Sequence, residues 1–95
     1  MANNKAGLIE VQDGVIWPMN IKGNPELRER LLSLGSEEIV ALKVDGKVTV
    51  WERQRDGKDG RPAHGLKPCD GRARDLWRSL YPSRKGDMVS ITEVE

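Results

Sequence analysis

Trp51 stands between Thr49 and Arg53 and is followed by Gln54 and Arg55, so an indole, two guanidiniums and a carboxamide fall within five residues. An uncovered indole is a stacking surface for a base, guanidiniums match phosphates and guanine edges, and a carboxamide reaches base edges. The run continues through Asp56-Gly57-Lys58-Asp59-Gly60-Arg61, whose glycines let a basic loop approach a polymer backbone closely. Further on, Arg74 and Arg78 are spaced to lie one turn apart on a helix flank. Trp51, Arg53, Gln54, Arg55, Lys58, Arg61, Arg74 and Arg78 are therefore the candidate nucleic-acid-binding residues. The ordinary alternative has Trp51 covered by a helix and the arginines solvated, with Asp56 and Asp59 opposing any phosphate.

Other chemistries find less in these residues. His64 and Cys69 are the only soft metal ligands, whereas a structural zinc site needs about four. Asp56, Asp59 and Asp70 lack the spacing, glycine and closing glutamate of a calcium loop. Nothing places His64 against Cys69 as the base for a thiol nucleophile, and no third group orients the histidine. Gly60-Arg61-Pro62-Ala63-His64-Gly65 is not followed by the lysine and hydroxyl of a phosphate-binding loop. The expectation is a non-enzymatic module for DNA or RNA with no catalytic residues, metal or small-molecule cofactor. The alternative is a protein-interaction or regulatory module that uses its loop as an adaptable recognition segment.

Charge is unevenly distributed. Residues 1–52 carry six cations and eight anions, residues 53–85 ten and four, and residues 86–95 none and three, which sums to the net +1. Seven of the ten central cations are arginines, so polyanion binding is compatible with a near-neutral whole. With 95 residues, the chain suits one small domain held by packing. No apolar run approaches the roughly 18 residues of a membrane span. Residues Met1 to Ala6 lack the basic-then-apolar pattern of a secretory leader, and a lone Cys69 fits a reducing cytoplasm.

The elements that must position these residues follow from pattern. Leu8–Val11 and Val15–Trp17 flank Gln12-Asp13-Gly14 and read as a first hairpin. Asn24-Pro25 caps a helix to Leu34 with Leu27, Leu31 and Leu34 on one face, a Glu26–Arg30 pair, and Gly35 as its left-handed end. Asp45-Gly46 marks a second hairpin. A three-residue loop, Val44-Asp45-Gly46, gathers Val40, Leu42, Val48 and Val50 on one face and turns Thr49, Trp51 and Arg53 outward. Residues 54–71 form a long loop rich in glycine, proline and arginine. A second helix over Arg72–Tyr81, with Asp70 as a candidate cap, ends at Pro82 and turns Ala73, Leu76, Trp77, Leu80 and Tyr81 toward the core. Gly86-Asp87 opens a last strand, Met88–Val94, with Val89 and Ile91 inward. Together these give an α+β fold: a curved, mostly antiparallel sheet or partial barrel with two short amphipathic helices.

Gly65-Leu66-Lys67-Pro68, Leu76-Trp77-Arg78-Ser79-Leu80-Tyr81 and Arg84-Lys85-Gly86-Asp87-Met88-Val89-Ser90-Ile91 together resemble the end of a DNA-binding pseudobarrel domain. Such domains occur in plant transcription factors and in the effector-binding parts of some restriction enzymes, where a tryptophan-bearing helix leads through a Gly-Asp turn into a closing strand. The resemblance covers about a third of the chain. It implies seven strands in an open barrel, two helices, and DNA contact through loops and strand edges. As a whole the chain looks like a small bacterial protein, a likeness that carries no activity with it.

Overall fold

Apolar residues alternate on both sides of Asp45-Gly46 and make two strands, β2 (Ile39–Val44) and β3 (Lys47–Arg53), in a computed structural model that describes residues 5–12 and 14–94. Met1–Asn4 of the segment tested for a leader and Asp13 of the first expected turn lie outside the described residues. With β1 (Gly7–Glu10), β4 (Leu66–Pro68) and β5 (Met88–Glu93) these strands form one five-stranded sheet in the order β1-β5-β2-β3-β4. Every neighbouring pair is antiparallel. The sheet curls into a half-barrel, and two helices, α1 (Pro25–Leu32) and α2 (Gly71–Arg84), complete the α+β fold. Where the family resemblance implies seven strands, the described residues hold five, extended by the single bridges Leu8↔Lys22 and Ile16↔Leu66.

Among the described residues, the two runs of the first expected hairpin do not pair with each other. β1 pairs instead with β5, and Ile16 joins β4 by one bridge, because two short runs gain more from a strand at the far end of the chain than from each other. The second hairpin forms in the other register. Val44 pairs directly with Lys47, and Asp45 (φ 51°) and Gly46 (φ 81°) both take the left-handed conformation that a two-residue type I′ turn requires. Val40, Leu42, Val44, Thr49, Trp51 and Arg53 consequently face inward and are buried, while Val48 is exposed on the outer face.

Both helices begin as expected. Asn24 Oδ1 accepts from the Leu27 N–H at 3.0 Å and Asp70 Oδ1 from the Ala73 N–H at 2.8 Å, each satisfying a donor that the first turn leaves unpaired. α1 stops at Leu32 with Ser33 as its cap, so Gly35 is not the left-handed end, and Arg30 bonds Glu93 of β5 at 3.1 Å. α2 runs through Pro82 to Arg84. The proline gives up the bond to the Arg78 carbonyl, but Arg84 anchors the last turn to Asp45 (3.3 Å) and Asp87 (3.5 Å). Helix and strand side chains meet in one core: Leu27, Leu31, Ala73, Leu76, Trp77 and Leu80 from the helices, and Ile9, Val89 and Ile91 from the strands. The expected loop over residues 54–71 is shorter in the structure, since β4 and the start of α2 occupy its second half.

Candidate nucleic-acid interface

Trp51 cannot stack on a base. It is 0 % exposed, packed edge-on against Trp77 of α2 with ring centroids 5.7 Å apart, and its Nε1–H donates to Thr49 Oγ1 at 2.7 Å. Arg53 is lost to the expected surface as well. It is 4 % exposed, and its guanidinium is engaged by the Asp56 carboxylate and the Gln54 carbonyl. The cause is shared. The observed register points the odd-numbered side chains of β3 from Thr49 to Arg53 into the core, beneath α2.

Both arginines of the loop that follows are paired. Arg55 bonds Glu37 at 3.2 Å and Arg61 bonds Asp59 at 3.0 Å, although their side chains are 78 % and 86 % exposed. Exposed pairs of this kind contribute at most about 1 kcal/mol to stability, but they set a carboxylate beside each guanidinium that a phosphate would approach. Gln54, expected to read bases, is half-buried with its carboxamide against Gly65, where an added Cβ would stand 2.7 Å from Gln54 Oε1. Lys58 is exposed at the loop's turn. The three aspartates weighed for a calcium loop all have other partners: Asp56 holds Arg53, Asp59 holds Arg61, and Asp70 caps α2. His64 Nδ1 is buried without a partner and Cys69 is exposed, with no hydrogen bond between the two residues among those described. Among the described residues, no group of three His, Cys, Asp or Glu side chains is placed to hold a metal ion, and no helix is long and apolar enough to cross a membrane.

The remaining arginines are set apart from these. The chain has nine, and Arg28, Arg30, Arg53, Arg55, Arg61 and Arg84 all meet a carboxylate. Arg72, Arg74 and Arg78 have no ion pair among the described residues, and all three project from α2 as exposed side chains. Helical spacing explains the arrangement. Ala73, Leu76, Trp77 and Leu80 occupy the buried stripe, which leaves Arg74 and Arg78 on one flank and Arg72 on the other. Asp75 is the only carboxylate within the helix.

Each flank borders a depression. On the Arg72 side a groove of about 620 Å³ runs between α2 and the start of β3, lined by Lys47, Val48, Asp75 and Ser79. On the other side a notch of about 260 Å³ is lined by Pro68, Arg74, Trp77, Arg78, Tyr81 and Pro82. Lys85, just past the helix, sets its ammonium 5.9 Å from the centroid of the Tyr81 ring. Of the eight candidates, Arg74 and Arg78 are thus brought together as expected. Trp51 and Arg53 are buried, Gln54 is packed inward, Arg55 and Arg61 are paired, and Lys58 stands apart. Arg72 is an addition, and so are Tyr81, which helical spacing assigns to the core and the structure leaves half-buried against it, and Lys85. For the last two the signal is the spacing of 74, 78, 81 and 85, at i, i+4, i+7 and i+11 along one flank, once α2 extends past Pro82. Comparison with protein-family models, curated proteins and solved structures gives no match to this chain.

Proposed function

We propose that the protein is a non-enzymatic binding module for nucleic acid that contacts the polymer's phosphates through α2. One observation carries this reading: the three arginines without a carboxylate partner among the described residues all lie on this helix, with Lys85 beside them and Asp75 as the only opposing charge within it. Unpaired guanidiniums bind phosphate with no internal ion pair to break, and Arg74 and Arg78, one turn apart on a flank that Lys85 continues, suit a regularly charged chain, with Arg72 on the opposite flank. The mode departs from the family resemblance, which implies contact through loops and strand edges. It is a contact to the backbone that positions a polymer. The reading puts the protein in the cytoplasm, where a lone exposed cysteine stays reduced.

An NMR titration of labelled protein with oligonucleotides at low and high salt tests it. The expected shifts map to Arg72, Arg74, Arg78 and Lys85 and fade as salt rises. Shifts confined to the 54–65 loop, or none at low salt with the protein folded, overturn the reading. A protein-interaction role is favoured by a different observation, the exposed Leu8, Ile39, Val48 and Met88 on the outer face of the sheet. That role predicts a partner whose binding responds weakly to salt and spares α2.

A further inference from the structure

We infer that the notch beside Arg74 and Arg78 receives one unstacked nucleotide, so that the polymer bound along α2 is a single strand. This deepens the phosphate-contact reading and rests on it. Of the two depressions along α2, the notch is the one in which two unpaired arginines and an aromatic ring share a wall. Arg74 and Arg78 stand one helical turn apart, which places their side chains side by side at one rim. Pro68 from β4, Pro82 and the half-buried Tyr81 supply flat apolar surface, and Trp77 lies beneath with its indole sealed in the core. A volume near 260 Å³ has room for one base with part of its sugar, the phosphates lying outside it along the arginines.

The shape distinguishes the two kinds of strand. A duplex offers phosphates but keeps its bases paired and stacked inside, so nothing flat is free to enter a notch. A single strand can turn a base out against an aromatic face while its phosphates meet the cations alongside. Tyr81 is the ring that lines the notch, and a base stacking on it would take the place over the ring that the Lys85 ammonium holds in the free protein, releasing that ammonium to an adjacent phosphate.

The test uses the full chain and two fluorescent probes of equal phosphate number, an oligothymidylate and a duplex, with binding followed by anisotropy. The single strand is expected to bind at least about tenfold more tightly. Tyr81→Ala should weaken single-strand binding by about fivefold to 150-fold and leave duplex binding unchanged, and Tyr81→Phe should restore it. Circular dichroism confirms that both variants are folded. If Tyr81→Ala fails to fold, the indole Nε1–H resonance of Trp77 in the unaltered protein decides: it should shift with the single strand and stay fixed with the duplex. Equal affinity for the two probes, or a Tyr81→Phe variant as weak as the alanine, overturns the notch while leaving phosphate contact by α2 standing. Binding of neither probe removes both.

Discussion

Thr49 makes two hydrogen bonds within the core, accepting from the Trp51 Nε1–H at 2.7 Å and donating to the Leu42 carbonyl at 3.0 Å. It is a polar residue at 1 % exposure that lets a tryptophan be buried with its donor satisfied. Thr49→Val keeps the shape and removes the acceptor, so it should cost about 1–3 kcal/mol, read as a lower urea midpoint with unchanged slope. The folded variant should bind oligonucleotides as well as the unaltered protein. A loss of affinity at equal folding would return Trp51 to the binding surface. Arg53 follows the same logic, a charge made buriable by the Asp56 carboxylate three residues on. Periodicity marks threonine and arginine as solvent-facing because it weighs each residue alone. The partners that allow both to be buried are visible in sequence only after the register is known. Arg74 and Arg78 are legible for the opposite reason: their placement depends on helical spacing alone, and the neighbouring Leu76, Trp77 and Leu80 define the buried stripe without ambiguity.

The β2–β3 hairpin turns on what is weighed in choosing a face. Counting apolar residues favours the three-residue loop, which collects four aliphatic side chains. Weighing area favours the observed turn. Burial of a tryptophan removes about 150–250 Å², worth about 4–6 kcal/mol at 25 cal/mol per Å², against about 1.5–3 kcal/mol for a valine. Trp51 with Val44 therefore outweighs Val48 with Val50. The turn itself demands positive φ at Asp45 and Gly46. Beyond Gly46 and its two chain neighbours, no described heavy atom lies within 4 Å of where a Cβ would sit, so the penalty of a substitution there is conformational. Gly46→Ala should cost about 1–2 kcal/mol and Gly46→Asn less, since asparagine tolerates the left-handed region. Thermal denaturation of the two variants checks the order, and an alanine variant as stable as the parent would contradict the turn assignment. The first hairpin is not legible because adjacency in sequence does not decide pairing. The partner of β1 is β5, and the hydrogen bonds Val11 N–H to Asp87 O and Gly86 N–H to Val11 O, both 2.8 Å, fix that union at its end. The position of α2 follows from its apolar stripe but its length does not, since Pro82 signals an end and the helix runs two residues further, to Arg84.

Over the molecule as a whole, folding sorts the cations into those that meet carboxylates and those that do not. The central block of ten cations and four anions looks uniform as a sequence. Once folded, the arginines of its N-terminal half are tied to Asp56, Asp59 and Glu37, while Arg72, Arg74 and Arg78 are left on α2 facing outward. The general α+β architecture and the two amphipathic helices can be read from periodicity, because burial of one face is a local property of each segment. The division of the arginines cannot, because Glu37 reaches Arg55 across 18 residues and only the folded chain brings them together. The most direct measurement of the central claim is the salt dependence of oligothymidylate affinity for the unaltered protein and for an Arg72→Ala, Arg74→Ala, Arg78→Ala triple variant. Each lost phosphate contact lowers the slope of log affinity against log salt by about 0.7 on a single strand, so the variant's slope should be smaller by about 2. An unchanged slope in the triple variant, with the loss appearing instead when Arg55, Lys58 and Arg61 are replaced, would contradict it.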